Sequence, residues 1–367
     1  MDDAALRAGI DQARTATLAW LDTMQAPGEP LGVLRISAAH DPVRWPGMLL
    51  PGTYNAVMCR DLLGARVDDA AGLAGWLLRC RRADGIFRIP GMTDADVFKK
   101  PDRAETWRYI DFHVTNYALG AIEALGSAKP PVLKFARPWL EVPTLKAWLA
   151  DRDLRDPWQE GNNIVNLGSF LLALQRWNGA DAAPAMAALF DWHDRLQEPS
   201  TGFWGVGQLS DDRALLHAMA GSMHNFHLWY VTGRALPYQS AAVNYALGRP
   251  TAIDTACIDV DLVDLLVHGH ALIDHRRGEI AAWLRGKAAA LLMFQLADGG
   301  FADEMTGVRR QDGWVAGYAE PQGLSNTFAT WFRWIGLAMI ADTLWPGWRE
   351  WRFRRGVGIG YRMARPA

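Results

Sequence analysis

The sequence predicts an all-α chain folded as an (α/α)6 barrel, a toroid of six helical hairpins with an inner and an outer ring of helices. Three observations point there. Helical periodicity dominates, while alternating β-branched runs bounded by turn residues are nearly absent. Apolar segments rich in Ala, Gly and Ser alternate along the chain with amphipathic ones. One pattern of punctuation recurs after several of the amphipathic segments.

Taken in order, the apolar segments predict buried helices near 50–65, 112–126, 163–178, 216–233, 257–272 and 325–343. Few charges and many small side chains suit helices enclosed on most sides. The amphipathic segments predict outer helices near 4–24, 68–82, 137–150, 182–197, 238–247 and 278–296, with Arg, Asp and Glu on the solvent face. Links from an inner to the next outer helix are short, as from Gly64-Ala65 to Asp68 and from Gly179 to Asp181. Links back to the inner ring are long, near 83–111 and 297–324. All long loops then lie on the barrel face where inner helices begin, and loops of that length in a compact domain are usually functional.

The punctuation is Arg81-Arg82-Ala83-Asp84-Gly85-Ile86-Phe87, then Gln197-Glu198-Pro199-Ser200-Thr201-Gly202-Phe203-Trp204, then Gln295-Leu296-Ala297-Asp298-Gly299-Gly300-Phe301. In each, a polar residue ends the helix, a glycine supplies a left-handed turn, and an aromatic packs back between hairpins. The stretch Arg285-Gly286, Leu291, Gln295 and Gly299-Gly300-Phe301 resembles the QW repeat of terpenoid cyclases and protein prenyltransferases. Gln197 with Gly202-Phe203-Trp204 matches the end of the same motif. The resemblance covers about two thirds of the chain through its repeats and implies an α/α toroid, here one domain over residues 1–367. Toroids also carry carbohydrate-active enzymes and binding proteins, so fold alone does not name an activity.

Composition narrows the classes. The 367 residues carry a formal net charge of −2, no electrostatic basis for nucleic-acid binding. The three cysteines, Cys59, Cys80 and Cys257, form no paired framework and suit a reducing compartment. The N-terminal stretch lacks the basic start and apolar run of a signal peptide, and no apolar run is long enough for a membrane span. A cytoplasmic protein is expected. No P-loop, dinucleotide fingerprint, nucleophile elbow or zinc pattern appears, so neither cofactor nor metal is expected. Of the 18 tryptophans, among them Trp204, Trp314 and Trp348, most read as packing pins. The rest suit a cavity wall, where flat rings meet sugars, cations or carbocations.

The predicted inner helices begin with unusual polarity: Thr53, Tyr54 and Asn55; His113 and Asn116; Asn162, Asn163 and Asn166; His217, Ser222, His224, Asn225 and His227; Asp259, Asp261 and Asp264; Ser325, Asn326 and Trp331. Capping accounts for residues at a helix start, notably Asn162, Asp259 and Ser325. It does not account for His113 with Asn116 or Asn163 with Asn166, whose i,i+3 spacing puts each pair on one interior face. Buried polar groups need partners, and a wet central cavity provides them.

The segment Cys257-Ile258-Asp259-Val260-Asp261-Leu262-Val263-Asp264 sets three carboxylates at the start of an apolar helix. Crowding of that kind keeps one acid protonated near neutrality, the raw material of acid–base chemistry. The segment resembles the D-x-D-D motif of class II terpene cyclases. Asp259 and Asp261 match the first two acids, Leu262 stands at the last position, and the resemblance implies Asp261 as proton donor.

The residues themselves read first as a carbohydrate site. Asp261 would donate or accept the proton, Asp259 would tune it, and His224 would assist. His113, Asn116, Asn163, Asn166, His227, Tyr54, Asn326, Trp331 and Arg88 would hold the substrate. Loop charges (Arg81, Arg82, Arg88, Lys99, Lys100, Arg103, Arg309, Arg310) favour an acidic glycan or a phosphorylated sugar as the small-molecule or oligosaccharide partner. Hydrolysis, elimination and epimerisation stay open, and hydrolysis needs a second acid from Asp84, Asp111, Glu304 or Glu320. The alternatives are a class II terpene or prenyl-diphosphate cyclase using Asp261, and a non-catalytic toroid binding glycans or a protein.

Overall fold

The computed structural model describes residues 1–97, 103–126, 130–207, 209–306, 308–310, 318–353 and 360. Its helices follow the predicted alternation. The inner ring is α2 (Leu49–Leu62), α4 (Arg103–Leu125), α6 (Pro157–Asn178), α8 (Asp212–Thr232), α10 (Ala256–Leu272) and α12 (Thr327–Leu344). The outer helices are α1 (Asp3–Thr23), α3 (Ala70–Arg79), α5 (Val142–Ala150), α7 (Ala183–Leu196), α9 (Gln239–Leu247) and α11 (Arg277–Phe294). Each inner helix packs on the next, and α12 packs on α2, so the inner ring closes. The chain is an α/α toroid.

Two details depart from the sequence reading. First, α4, α6 and α8 begin one to several turns earlier than their apolar runs, because polar turns such as Arg103–Tyr109 extend the helix beyond the buried stretch. His113, Asn116, Asn163 and Asn166 therefore sit inside helices, not at their starts. The N-caps are Asp156 for α6, Asp211 for α8, Thr255 for α10 and Asn326 for α12, each accepting a backbone N–H within the first turn. Of the residues expected as caps, Asn162 and Asp259 lie past them, and Ser325 lies one residue before the cap of α12, its hydroxyl donating to Asp298. Second, the last long loop carries a short antiparallel hairpin, β1 (Val308–Arg310) with β2 (Ala319–Pro321), where no strand was expected. Arg309 and Arg310 are on β1 and Arg103 opens α4; Lys99, Lys100 and Trp314 lie outside the described residues.

The repeated punctuation has a mechanical role. Gln295 Nε2 donates to Gly299 O, closing its own turn, and to Ala13 O and Thr17 Oγ1 on α1. Gln197 Nε2 likewise donates to Gly202 O and to Pro237 O just ahead of α9. One amide thus ties each turn to the next hairpin. Gly299 has φ +97°, and a side chain there would strike the Ala16 backbone. The chain after each turn is then pinned to the following inner helix by a buried hydroxyl. Phe87 N–H donates to Thr115 Oγ1, Trp204 N–H to Ser222 Oγ and Phe301 N–H to Thr330 Oγ1, at 2.7–2.9 Å. Leu34 N–H does the same to Thr53 Oγ1 at 3.1 Å.

Where inner helices begin, the loops pack on one another. Thr327 N–H donates to Ile36 O, Ser37 Oγ to Glu320 Oε2, and the Tyr318 ring meets His40 and Trp45 edge-on. No helix among the described residues is long and apolar enough to cross a membrane.

Candidate functional site

An aromatic arc occupies one side of the ring interior. Tyr54 on α2 lies 5.6 Å (centroid to centroid) from Tyr117 on α4, and Tyr117 meets Trp331 on α12 edge-on at 5.4 Å. Because α2 separates α4 from α12 in the ring, the Tyr117–Trp331 contact crosses the interior. His113 joins through Tyr109 and Tyr117, at 4.8 and 5.5 Å, and Phe332 through Trp331 at 5.0 Å. Complete burial pushes the Tyr54 phenol well above its ordinary pKa, so it stays neutral.

The other side is polar. Asn116 Nδ2 on α4 donates to Asn166 Oδ1 on α6 at 2.7 Å, and Asn163 Nδ2 donates to Glu160 Oε2 at 3.4 Å. Asn163 Oδ1 and Asn166 Nδ2 are buried with no partner among the described residues. Next, α8 and α10 are joined by a ladder with i,i+3 rungs on both helices. His224 Nε2 lies 3.3 Å from Asp261 Oδ1, and His227 Nε2 lies 3.0 Å from Asp264 Oδ1. His268 Nδ1 approaches the same Asp264 oxygen at 2.9 Å, and its ring stacks on Tyr230 at 4.2 Å.

The two acids of the ladder diverge. Asp261 is fully buried, and loss of hydration raises its pKa. His224 pulls the other way without cancelling that, and the charge on Asp264 adds to the rise. Asp264 is equally desolvated, but His227 and His268 together hold it far below the usual carboxylate range. Of the two, Asp261 holds a proton more readily and Asp264 less. Asp261 Oδ2 and His224 Nδ1 are buried without a partner among the described residues.

The remaining predicted residues are used elsewhere. Asp259 faces away from this ladder: Lys287 Nζ on α11 and Arg333 Nη1 on α12 each reach it at 2.5 Å. Two residues apart on a helix, Asp259 and Asp261 leave on nearly opposite sides. Asn326 is the N-cap of α12, its Oδ1 taking the Ala329 N–H at 2.8 Å. Arg88 pairs with Asp111 and lies 3.9 Å over the Trp107 ring, so its charge is already matched. The proposed second acids are also engaged: Asp84 by Ile86 N–H, Asp111 by Arg88, Glu304 by Gln322, and Glu320 by Ser37 and Tyr318. Two buried acids were missed as site residues. Asp264 was visible as i+3 from Asp261. Glu160, its pKa raised by burial and held by Arg152 at 3.3 Å, carried no signal beyond i−3 spacing to Asn163.

A cavity of about 400 Å3 lies in the C-terminal halves of α4, α6 and α8, with Asn116 in its wall, and another of about 210 Å3 lies ahead of α2 and α4, between Trp45, Met48, Ile89 and Met92.

No protein-family model and no curated protein matches the chain. Solved structures do. A variant of the type II terpene cyclase MstE from Scytonema, in complex with merosterolic acid A as product, matches with a TM-score of 0.55 at 15% identity, over 94% of this chain and 100% of that one. Another MstE variant, in complex with geranylgeranyl dihydroxybenzoate as substrate, matches with a TM-score of 0.52 at 14% identity, over 93% and 100%. An apo MstE variant gives 0.53 at 14%, over 94% and 100%. The chain has the terpenoid-cyclase α/α toroid. At this identity the likeness is one of fold, and it lends the expected carbohydrate activity no support.

Proposed function

We propose that the chain is a class II-type terpenoid cyclase in which Asp261 is the acid that starts the reaction. One observation carries this reading: a buried carboxyl of raised pKa has one oxygen held by His224 and the other without a partner among the described residues. That Oδ2 carries the proton and gives it to the less substituted carbon of the terminal isoprenoid double bond. The C=C pair forms the new C–H bond and leaves a tertiary cation on the neighbouring carbon. The next double bond attacks that cation and closes a ring. A final C–H gives its proton to water or another base, and its electron pair becomes the product alkene. The N–H of His224 at Oδ1 stabilises the carboxylate as the proton departs.

The aromatic arc suits the same chemistry. Faces of Tyr117, Trp331 and Tyr54 stabilise positive charge along the chain without offering a nucleophile. The polar arc of Asn116, Asn163 and Asn166 is what a carbohydrate ligand would use. A panel of polyprenyl alcohols, prenylated phenols, prenyl diphosphates and oligosaccharides separates the two readings. Cyclised, isomeric products formed by the native chain and not by Asp261→Asn support the cyclase. Turnover confined to oligosaccharides rejects it.

A further inference from the structure

The cavity at the C-terminal end of the inner ring says more about the substrate than the acid does. Leu119, Gly120, Ala173, Phe170, Trp177 and Val231 give it apolar walls, with Asn116 at its inner end. Because α6 lies between α4 and α8 in the ring, a cavity touching all three reaches the interior. From Asn116 to Glu123 it follows two turns of α4, about 10 Å at 1.5 Å per residue, and its volume falls within the range of small-molecule sites. The neighbouring part of the same barrel end is covered: Arg352 N–H donates to Leu62 O and its guanidinium lies 3.8 Å from Asp61. Among the described residues, Arg352 thus covers part of the α2 side, and none fills the cavity on the α4–α6–α8 side.

Among the described residues, the rim carries two charges, and they are spent on each other. Arg176 pairs with Glu123, and its guanidinium also lies 4.9 Å over the Trp177 ring. A diphosphate arriving here would have to take Arg176 from Glu123, stranding a largely covered carboxylate beside its own negative charges. A hydroxyl donates and accepts at once, so it bridges a carboxylate and a guanidinium without separating them.

We propose that this cavity binds the apolar chain of an uncharged prenylated alcohol or phenol, and that the Glu123–Arg176 pair selects such a head group over a diphosphate. The proposal rests on the cyclase reading for the polyene character of the ligand, but it is read by binding alone.

Equilibrium dialysis of the full chain with farnesol and with farnesyl diphosphate tests it. Farnesol is expected to bind at least about tenfold more tightly than its diphosphate. Ala173→Trp fills the cavity, and Trp177→Ala, at a partly buried position near the end of α6, removes one wall. Each is expected to weaken farnesol about tenfold, a loss of one hydrophobic contact surface. Glu123→Gln frees Arg176 and is expected to raise diphosphate affinity about tenfold. The proposal is overturned if farnesol does not bind, if the diphosphate binds as tightly as farnesol, if neither cavity variant weakens farnesol, or if Glu123→Gln leaves the diphosphate unchanged. Should Asp261→Asn still cyclise substrate while this binding pattern holds, the acid assignment fails and the head-group selectivity stands.

Discussion

His224 on α8 places Nε2 3.3 Å from Oδ1 of Asp261 on α10, and the same two helices repeat the contact one turn on, between His227 and Asp264. The rungs look alike but shift in opposite directions: two histidines on one oxygen hold Asp264 down, whereas Asp261 has one and burial pushes it up. The first prediction follows from the sign. Asp261 works while protonated, so the rate should be highest on the acid side and fall about tenfold per pH unit above its raised pKa. Asp261→Asn should lower kcat by about 10²–10⁴. His224→Phe should move the alkaline limb to higher pH while lowering the plateau, since the departing carboxylate loses its donor. A kcat–pH profile that is flat, or that rises with pH, sinks the assignment.

The same shift governs stability. A raised folded-state pKa gives stability that is full below the unfolded pKa and lost as pH rises through the folded one. Asp261→Asn removes that loss, so thermal melts should show the variant gaining over the native chain at pH 8 relative to pH 4. An equal Tm difference at both pH values would contradict a buried, proton-holding Asp261.

Asp264 has the opposite sign. Its depressed pKa contributes stability above the unfolded value near 3.8 and loses it as pH falls through the folded one. Asp264→Asn disturbs the buried contacts with His227 and His268, at a cost of about 1–3 kcal/mol at neutral pH. Urea titrations at pH 7 and pH 3 should show the gap between variant and native chain closing at the lower pH. A constant gap would mean the carboxylate is not what the histidines hold.

How much of this was legible in the sequence depends on the distance over which each signal acts. The ring was legible, because Gln295, Gly299 and Phe301 encode a turn and a tether within seven residues. The helix starts were misread where polar turns such as Arg103–Tyr109 precede the apolar run, since periodicity marks the buried face and not the hydrogen-bonded extent. Thr53 and Ser222 read as cavity lining, whereas both accept loop N–H groups; a hydroxyl's partner 18 or 19 residues away leaves no local trace. The aromatic arc was also hidden. Tyr117 and Trp331 meet only because the ring closes, and no spacing along one helix records that.

Asp259 shows the limit of reading a motif as a unit. It matches the first acid of the cyclase pattern, yet Lys287 and Arg333 each hold it at 2.5 Å, and all three side chains are buried. Its role here is to fasten the start of α10 to α11 and α12. Asp259→Asn should therefore cost about 3–5 kcal/mol by stranding two buried cations. In the surviving folded fraction, the alkaline limb of the rate profile should stay with Asp261. A shifted limb would instead make Asp259 a tuning partner of the acid.

Trp331 offers the sharpest separation of packing from chemistry. It is almost wholly buried, and its edge-on contact with Tyr117 closes the interior between α4 and α12. Trp331→Ala should destabilise by about 3–5 kcal/mol through the cavity it leaves, which says nothing about function. Trp331→Leu keeps an apolar side chain there but removes the π face. If the indole stabilises a developing cation, that variant should lose about 1–2 kcal/mol of transition-state stabilisation, roughly 5–30-fold in kcat, with KM nearly unchanged. Trp331→Phe should recover most of the loss, because a smaller ring still presents a negative face. Partly cyclised or water-quenched products from the Leu variant, identified by mass spectrometry, would mark where along the chain the cation loses its partner. Equal rates for the Phe and Leu variants would assign the indole to packing alone.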